Sequence, residues 1–175
     1  SVAAFKSGPD YIDPMFHSRV IGAKSRNLDL FMLGQATTRY LVAKNARQAD
    51  VAVFEGAMGF YDGMGKTTEA SAYELACTCD VPVVLVVNGK GAALSIAATI
   101  KGFKEFRSDS HIVGAILNNV NPMSYLFYKD VIERETGVKL LGYFPVMQDC
   151  NFESRHLGLV TAEEIGDLQQ IVAKL

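Results

Sequence analysis

The chain has 175 residues, of which 49% are hydrophobic, and a formal net charge of −2 at pH 7. This length and apolar content predict one globular domain with its own core. The near-neutral charge argues against a surface for nucleic acid or anionic lipid. The longest apolar stretch, residues 81–87, contains Pro82 and is far shorter than the roughly 20 residues of a membrane span. Because the opening residues also lack a basic leader, we expect a cytoplasmic protein.

Short runs of aliphatic residues alternate with longer amphipathic segments along the chain. The runs do not alternate polar with apolar residues, which is typical of strands covered on both faces. They predict strands at residues 2–5, 51–54, 83–87, 112–117 and 139–144. The other segments predict helices at residues 28–49, 69–79, 92–106, 124–136 and 161–174. This order predicts an α/β fold with a doubly wound, mainly parallel sheet and helices on both faces.

In such a fold, ligands bind beyond the carboxyl ends of the strands, so the loops there are informative. The loop after the first strand, residues 6–17, contains the ammonium of Lys6 and the carboxylates of Asp10 and Asp13. Carboxylates on a rigid loop suit Mg²⁺, and a lysine at a strand end suits a phosphate or a substrate carboxylate. An acidic turn with helix-capping aspartates is the alternative interpretation.

The second strand ends in Glu55, and a glycine-containing loop continues to Asp62. A carboxylate at the tip of a buried strand is costly unless a cation or a donor satisfies it. The glycines allow the backbone to approach a ligand closely. We interpret Glu55 as a metal ligand, with capping of the next helix as the alternative.

The adjoining residues 63–68, Gly-Met-Gly-Lys-Thr-Thr, superficially resemble a phosphate loop. That motif requires a glycine, four further residues and then Gly-Lys-Ser/Thr. Phe60 stands where the first glycine is needed, and Gly59 comes one residue too early. We expect instead that Thr67 or Thr68 caps a helix that begins near Glu69.

Two later features are candidates for ligand binding. Asn118 ends the fourth predicted strand, where its amide could read an adenine edge, although an asparagine turn is the competing interpretation. Arg155 and His156 lie in the loop before the last predicted helix. This basic pair would bind an anion or form solvated surface.

Taken together, these segments resemble a known family. Residues 5–17, Phe-Lys-Ser-Gly-Pro-Asp-Tyr-Ile-Asp-Pro-Met-Phe-His, with Asn-Leu-Asp at 27–29, are similar to the signature of cobyrinic acid a,c-diamide synthases. Residues 55–63 and 155–159 resemble the second and third signatures of that family, in the family's order. More distantly, the chain resembles dethiobiotin synthetase. The resemblance implies a fold of the P-loop NTPase type, in a chain that lacks the first strand and the phosphate loop.

The resemblance also implies an activity. Members of this family are ATP- and Mg²⁺-dependent carbon–nitrogen ligases of cobalamin biosynthesis. They convert the a and c carboxylates of cobyrinic acid to acyl phosphates, and ammonia from the glutamine-hydrolysing C-terminal domain then displaces the phosphate. By this resemblance, residues 1–175 are one synthetase domain, a fragment without its glutaminase domain. We expect the isolated chain to be inactive, and the family's frequent pairing of subunits predicts a homodimer.

Catalytic roles follow from the resemblance residue by residue. It implies that Lys6 bridges the nucleotide phosphate and the substrate carboxylate. Glu55 matches the metal ligand at the strand end, and either Asp13 or Asp10 is the second candidate for contacting Mg²⁺. Asp10, Tyr11 and Asp13 belong to the segment at the junction of nucleotide and substrate.

The resemblance assigns binding roles to further residues. Asp62 matches an aspartate tied to substrate handling, and Asn118 matches the position that reads adenine. The carboxylates of the corrinoid are assigned to five basic residues: His17, Arg19, Arg26, Arg155 and His156.

Two rival functions stay open. An archaeal homologue that amidates a nickel-containing sirohydrochlorin at its a and c side chains has overlapping signatures. A non-catalytic nucleotide-binding module would account for the lack of a phosphate loop. The several carboxylates at strand tips argue against this module, because a non-catalytic protein has no physical need for them.

Overall fold

Two three-stranded parallel sheets organise the computed structural model, which describes residues 1–22 and 24–147 together with Ala173. One sheet belongs to a compact unit that contains Ser1–Cys79, and the other to a unit that contains residues 80–147. Strands and helices alternate in both, which confirms the predicted α/β class with parallel pairing. Within the described residues, each unit contains one of these sheets. Whether the chain is one domain stays a prediction.

The first unit contains three strands and three helices. They are β1 (Val2–Ser7), α1 (Ile12–Ile21), β2 (Arg26–Leu28), α2 (Leu30–Ala46), β3 (Val51–Glu55) and α3 (Ala72–Cys79). The strand order is β2-β1-β3, so β1 is the central strand. Neither α1 nor β2 was predicted from the sequence. The predicted helix at residues 28–49 begins later because Leu28 completes β2 and Asp29 caps α2, accepting from the Phe31 N–H at 3.0 Å.

The central strand β1 separates a hydrophobic core from a charged face. Successive side chains of a strand point to opposite faces, so Phe5 and Lys6 lie on different sides of the sheet. Phe5 is buried with Leu28 and Leu75 and stacks on Phe54, with ring centroids 4.9 Å apart. Lys6 faces α1, where it pairs with an acidic side chain described below. This arrangement holds the lysine at a rigid position next to a packed core.

The second unit contains the strands and helices of the C-terminal half. They are β4 (Val83–Asn88), α4 (Ser95–Glu105), β5 (Ile112–Asn118), α5 (Pro122–Thr136) and β6 (Lys139–Phe144), with strand order β4-β5-β6. Both helices pack against each other, and Ile100, Leu117 and Ile132 are buried in the core. Helix α5 begins at Pro122 and is capped by Asn121, whose side chain accepts from the Ser124 N–H at 2.8 Å.

Two further predictions have simple outcomes. The predicted helix at residues 161–174 lies outside the described residues, apart from Ala173 in a turn, and stays a prediction. Among the described residues, no helix has both the length and the hydropathy that crossing a membrane requires.

Candidate functional site

Lys6 is the centre of a charged cluster at the carboxyl end of β1. Its ammonium lies 2.6 Å from the Asp13 carboxylate and 3.3 Å from the Glu55 carboxylate. It also donates to the carbonyl of Gly56 at 3.1 Å, and only 5% of the residue is exposed. The register of the parallel strands pairs Lys6 with Glu55, which places both side chains on the same face of the sheet. The structure therefore brings Lys6, Asp13 and Glu55 together, while their roles stay predictions.

The charges in this cluster stabilise one another. Burial alone would lower the pKa of Lys6, but the hydrogen bond to Asp13 and the charge of Glu55 raise this pKa above its ordinary value of 10.5. Burial also opposes ionisation of Asp13, yet the hydrogen bond and charge of Lys6 hold the pKa of Asp13 below its ordinary value of 3.8. Lys6 and Asp13 therefore form a charged pair at neutral pH.

Helix α1 adds His17 to the cluster. Asp13 and His17 are four residues apart, so they lie on the same face of the helix, one turn from each other. The His17 Nε2 atom is 2.6 Å from the Glu55 Oε2 atom, and the His17 Nδ1 atom is 2.9 Å from the Ser25 hydroxyl. Each carboxylate oxygen of Glu55 thus contacts a side-chain nitrogen. Oε1 contacts the Lys6 ammonium, and Oε2 contacts the His17 ring. The family resemblance assigned His17 to corrinoid binding, and nothing in the sequence indicated its contact with Glu55.

Asp10 and Asp13 have different environments. From the sequence, the two could not be ranked as candidate metal ligands. Asp10 accepts from the N–H of Ile12 at 2.8 Å and so caps the start of α1. Asp13 instead pairs with Lys6. Tyr11, between them, is 66% exposed. The structure therefore gives Asp10 a capping contact and gives Asp13 the contact with the lysine.

Asp62 lies in a turn of its own. Its carboxylate accepts from the Gly59 N–H at 3.1 Å, and its own N–H donates to the Gly59 carbonyl at 2.9 Å. In the described part of the chain, no hydrogen bond or ion pair joins Asp62 to the cluster around Lys6. The structure therefore does not bring Asp62 into direct contact with the other predicted catalytic residues.

Residues 63–68 fold into turns that bond to one another. The Gly63 N–H donates to the Thr67 carbonyl at 3.1 Å, and the Met64 N–H donates to the Glu69 carbonyl at 2.9 Å. The following helix α3 begins at Ala72, so the expectation of a helix start near Glu69 was wrong. Its cap is Ser71, whose hydroxyl accepts from the Glu74 N–H at 3.2 Å. The turns agree with the exclusion of a phosphate loop, which leads directly into a helix.

Asn118 occupies the end of β5 in the second unit, opposite Asn88 of β4. Its side-chain oxygen accepts from the N–H of Asn119 at 3.0 Å. The Asn119 amide in turn donates to the Asn88 side-chain oxygen at 3.1 Å. Within the described residues, the Asn118 amide nitrogen makes no hydrogen bond, which leaves a donor for a ligand.

The basic residues predicted to bind substrate are only partly described. Arg19 and Arg26 line one cleft beside α1, and Lys24 joins them there. Lys24 was not singled out from the sequence, since an isolated lysine carries no motif. Arg155 and His156 lie outside the described residues.

The donor set suits a magnesium ion that is shared with phosphate oxygens. Mg²⁺ is usually held by one or two carboxylates, with water and substrate phosphates completing its shell. The side chains of Glu55 and Asp13 are 46% and 35% exposed, so both can reach a ligand. Across the described ranges, no group of three or more His, Cys, Asp or Glu residues could hold a metal ion alone. The two carboxylates therefore fit an ion that arrives with a nucleotide better than a resident metal.

Comparison with known proteins gives one matching family and many relatives. The model of the AAA domain family matches residues 22–154. The chain is 42% identical to the cobyrinate a,c-diamide synthase of Fusobacterium nucleatum over 97% of the chain and 38% of that protein. It is 42% identical to the synthase of the same name from Caldanaerobacter subterraneus, over 100% of the chain and 39% of that protein. The synthase of this name from Saccharolobus solfataricus is 38% identical over 98% of the chain.

The matches cover almost the whole chain but only part of each relative. The chain spans about two fifths of the length of the curated relatives that it matches. No solved structure matches the chain.

Proposed function

Since this chain belongs to the AAA domain family, we propose that it is part of an ATP-dependent ligase that amidates the a and c carboxylates of cobyrinic acid. The names of the relatives support this reaction, and so does the match between the family's signatures and the cluster around Lys6. The proposal concerns the natural-length protein. We propose that the isolated chain does not amidate, since it spans only about two fifths of the length of the relatives that carry the synthase name.

The observation that carries the proposal is the position of Lys6 between two carboxylates at the tip of β1. The reaction must bring a substrate carboxylate to a phosphoryl group, so two anions approach each other. A buried ammonium fixed in advance stabilises that encounter more than a mobile surface lysine would. Lys6 is fixed by three contacts, to Asp13, Glu55 and the Gly56 carbonyl.

The proposed reaction has two bond exchanges. A carboxylate oxygen of the substrate attacks the γ-phosphorus of ATP, the bond to the β,γ-bridging oxygen breaks, and ADP leaves. Ammonia then attacks the acyl carbon, inorganic phosphate leaves, and the nitrogen loses a proton to give the amide. Lys6 would lie beside the attacking carboxylate and the transferred phosphoryl group. Both groups are thereby held in line for the first exchange.

Asp13 and Glu55 are the residues that would hold Mg²⁺ in this proposal. When bound, the ion would neutralise charge on the phosphate oxygens. His17 contributes by orienting Glu55, because its 2.6 Å contact fixes one of the two carboxylate oxygens. Asn118 would bind the adenine edge through its amide nitrogen.

The test uses the natural-length protein with cobyrinic acid, ATP, Mg²⁺ and either glutamine or ammonium, and follows product mass. We expect two successive ATP-dependent amidations, which Glu55→Gln abolishes. Glu105→Gln is the matched control, since Glu105 is exposed on α4 with a 3.9 Å contact to Lys101 and should leave turnover unchanged. Turnover of a nickel sirohydrochlorin in place of cobyrinic acid would keep the chemistry and change the substrate. If neither ring is amidated, the ligase proposal fails and the nucleotide-binding module takes its place.

A further inference from the structure

The imidazole of His17 is held between two polar side chains from other segments of the chain. Its Nε2 atom lies 2.6 Å from Glu55 Oε2, and its Nδ1 atom lies 2.9 Å from the hydroxyl of Ser25. Neither the family's signatures nor the proposed reaction uses Ser25. We propose that Ser25 is a positioning residue, which orients the carboxylate of Glu55 through His17. The inference rests on the proposed function and deepens it, because Glu55 is one of the residues that would hold Mg²⁺ there.

The chemistry of the three groups determines the direction of the two hydrogen bonds. An ionised carboxylate can only accept, so His17 donates to Glu55 through its Nε2–H. In the neutral imidazole the other ring nitrogen is then an acceptor, and the Ser25 hydroxyl donates to it. The serine hydroxyl therefore favours the tautomer that carries its proton on the side of Glu55.

The position of the Ser25 hydroxyl is set by the sheet. Ser25 directly precedes β2, whose first residue, Arg26, pairs with Phe5 of the central strand β1. Only 8% of Ser25 is exposed, so water has little access to replace its hydroxyl. Ser25 is therefore a buried donor on a fixed backbone, and the ring of His17 is held from the side opposite to Glu55.

The carboxylate of Glu55 needs such support because the side chain is 46% exposed. Lys6 contacts its Oε1 atom at 3.3 Å, and His17 contacts its Oε2 atom at 2.6 Å. The contact with His17 is the shorter of the two, and it depends on a ring that Ser25 orients. Hydrogen-bond partners of this kind orient metal-ligating carboxylates and raise the affinity for the ion. Ser25 should therefore influence ion binding without touching the ion.

The rival role of His17 is the one that the family resemblance implies, binding of a corrinoid carboxylate. Each ring nitrogen of His17 already has a partner, Glu55 on one side and Ser25 on the other. A substrate carboxylate would have to displace one of these partners, and next to Nε2 its charge would be repelled by Glu55. The side chain of His17 is also only 22% exposed. These observations favour positioning over substrate binding.

The test measures ion binding and kinetics on the natural-length protein. Mn²⁺ is the probe, and its Kd is measured by electron paramagnetic resonance in the presence of a non-hydrolysable ATP analogue. We expect Ser25→Ala to raise this Kd about tenfold, as is typical when a partner of a metal ligand is lost. The KM for cobyrinic acid should stay within about twofold of wild type, since the proposed role of Ser25 does not involve the ring substrate. Ser25→Thr keeps the hydroxyl and should bring the Kd back towards that of wild type.

Two comparisons distinguish positioning from a merely structural effect. If Ser25 acts through His17, Ser25→Ala should not change the Kd further once His17→Ala is present, whereas independent effects would add. Ser110→Ala is the matched control. Ser110 is also buried, at 5% exposed, but its hydroxyl donates to the backbone carbonyl of Lys104 at 3.0 Å. This variant should keep the affinity for Mn²⁺ even if its stability falls.

The outcomes separate the role of Ser25 from the reaction. An unchanged Kd for Mn²⁺ in Ser25→Ala, or additive effects of the two substitutions, would overturn the role of Ser25. A rise in the KM for cobyrinic acid in His17→Ala with an unchanged Kd would assign His17 to the ring substrate and overturn it as well. If the wild type amidates no ring, the proposed function fails, but the Kd values still decide whether Ser25 positions Glu55. His17→Ala alone keeps the test decisive if Ser25→Ala does not fold, with the same rise of about tenfold expected.

Discussion

The ammonium of Lys6 and the carboxylate of Asp13 lie 2.6 Å apart, although a strand carries the first and a helix carries the second. The distance depends on α1, which begins five residues after β1 ends and is capped by the Asp10 side chain. The capped helix fixes the carboxylate, and the core behind Phe5 fixes the lysine. This pair is therefore a sensitive point for both stability and activity.

The stability of the protein should depend on pH through this pair. Because the pKa of Asp13 in the folded protein lies below its ordinary value of 3.8, the pair stabilises above that pH and the contribution is lost as pH falls through the folded-state pKa. Because the pKa of Lys6 lies above 10.5, its contribution is complete below that pH and is lost as pH rises through the raised pKa.

We therefore expect Asp13→Asn to lower the free energy of unfolding by about 1 kcal/mol near neutral pH, a small value because solvent screens the partly exposed carboxylate. The difference from wild type should shrink below pH 3.8. Urea unfolding at a series of pH values, with a chelator present, measures both quantities. A difference that stays constant down to the lowest pH would contradict the assigned pair.

The contacts of Asp10 and Asp13 predict that their replacements separate stability from activity. Asp10→Ala removes a cap and should cost about 1 kcal/mol of stability, with less than about a tenfold loss of amidation. Asp13→Ala should lower the kcat of amidation by about a hundredfold or more, because it removes a charged group from the reacting cluster.

Urea unfolding and product mass are measured on the same preparations. Asn121→Ala, which removes the cap of α5, is the matched control and should lose stability by a similar amount to Asp10→Ala without losing amidation. The opposite ranking, with Asp10→Ala inactive and Asp13→Ala active, would reverse the assignment.

Replacing glycine by alanine should have opposite effects on stability at Gly63 and at Gly102. A Cβ atom on Gly63 would lie 2.2 Å from the Glu69 carbonyl oxygen, a backbone atom that cannot move aside easily. Gly102 lies inside α4, where a Cβ atom would meet nothing within 4 Å. Gly63→Ala should therefore destabilise the protein by about 2 kcal/mol. Gly102→Ala should stabilise it by about 0.5–1 kcal/mol, because alanine is the better helix former.

Urea unfolding of the two variants and wild type checks this pair. Since the substitution is identical, each variant serves as the control for the other. Equal effects of the two substitutions would mean that the turn at residues 63–68 does not bring Gly63 against Glu69.

The sequence predicted the buried strands well because their side chains form continuous apolar runs. The strand at residues 139–144 was predicted with its observed bounds, and β1, β3, β4 and β5 differ by one or two residues at their ends. Helix α1 was missed because Pro9, Pro14 and two aspartates near its start are also typical of a loop. A proline in the first turn is compatible with a helix, so composition alone could not distinguish the two.

The sequence predicted only those residues of the site that lie at or just beyond the ends of predicted strands. The sequence placed Lys6 and Glu55 at the ends of predicted strands, but that the two strands are neighbours, with Lys6 paired to Glu55, is a finding of the structure. The contact of His17 with Glu55 depends on which face α1 turns towards the sheet. This orientation could not be predicted, because the helix itself was not predicted. The cleft lined by Arg19, Lys24 and Arg26 lies next to β2, which has only three residues. Such a short strand has too few side chains to show a pattern.

The Asn118 amide nitrogen, which makes no hydrogen bond to the part of the chain that the structure describes, leads to a prediction about nucleotide binding. Asn118→Asp keeps the shape of the side chain and the oxygen that accepts from the Asn119 N–H at 3.0 Å. It removes the donor and adds a negative charge, so a ring nitrogen acceptor on the adenine edge loses its partner. We expect the KM for ATP to rise about tenfold, because an unmatched polar edge is penalised on binding. The KM for cobyrinic acid should not change.

Kinetics of the natural-length protein with each substrate varied in turn measure both constants. Asn45→Asp is the control: the Asn45 amide donates to the Leu41 carbonyl within α2, so this change should leave both KM values near those of wild type. An unchanged KM for ATP in Asn118→Asp would show that Asn118 does not contact the base. Its hydrogen bond to Asn119, a residue with a φ of 60°, would then define an asparagine turn after β5.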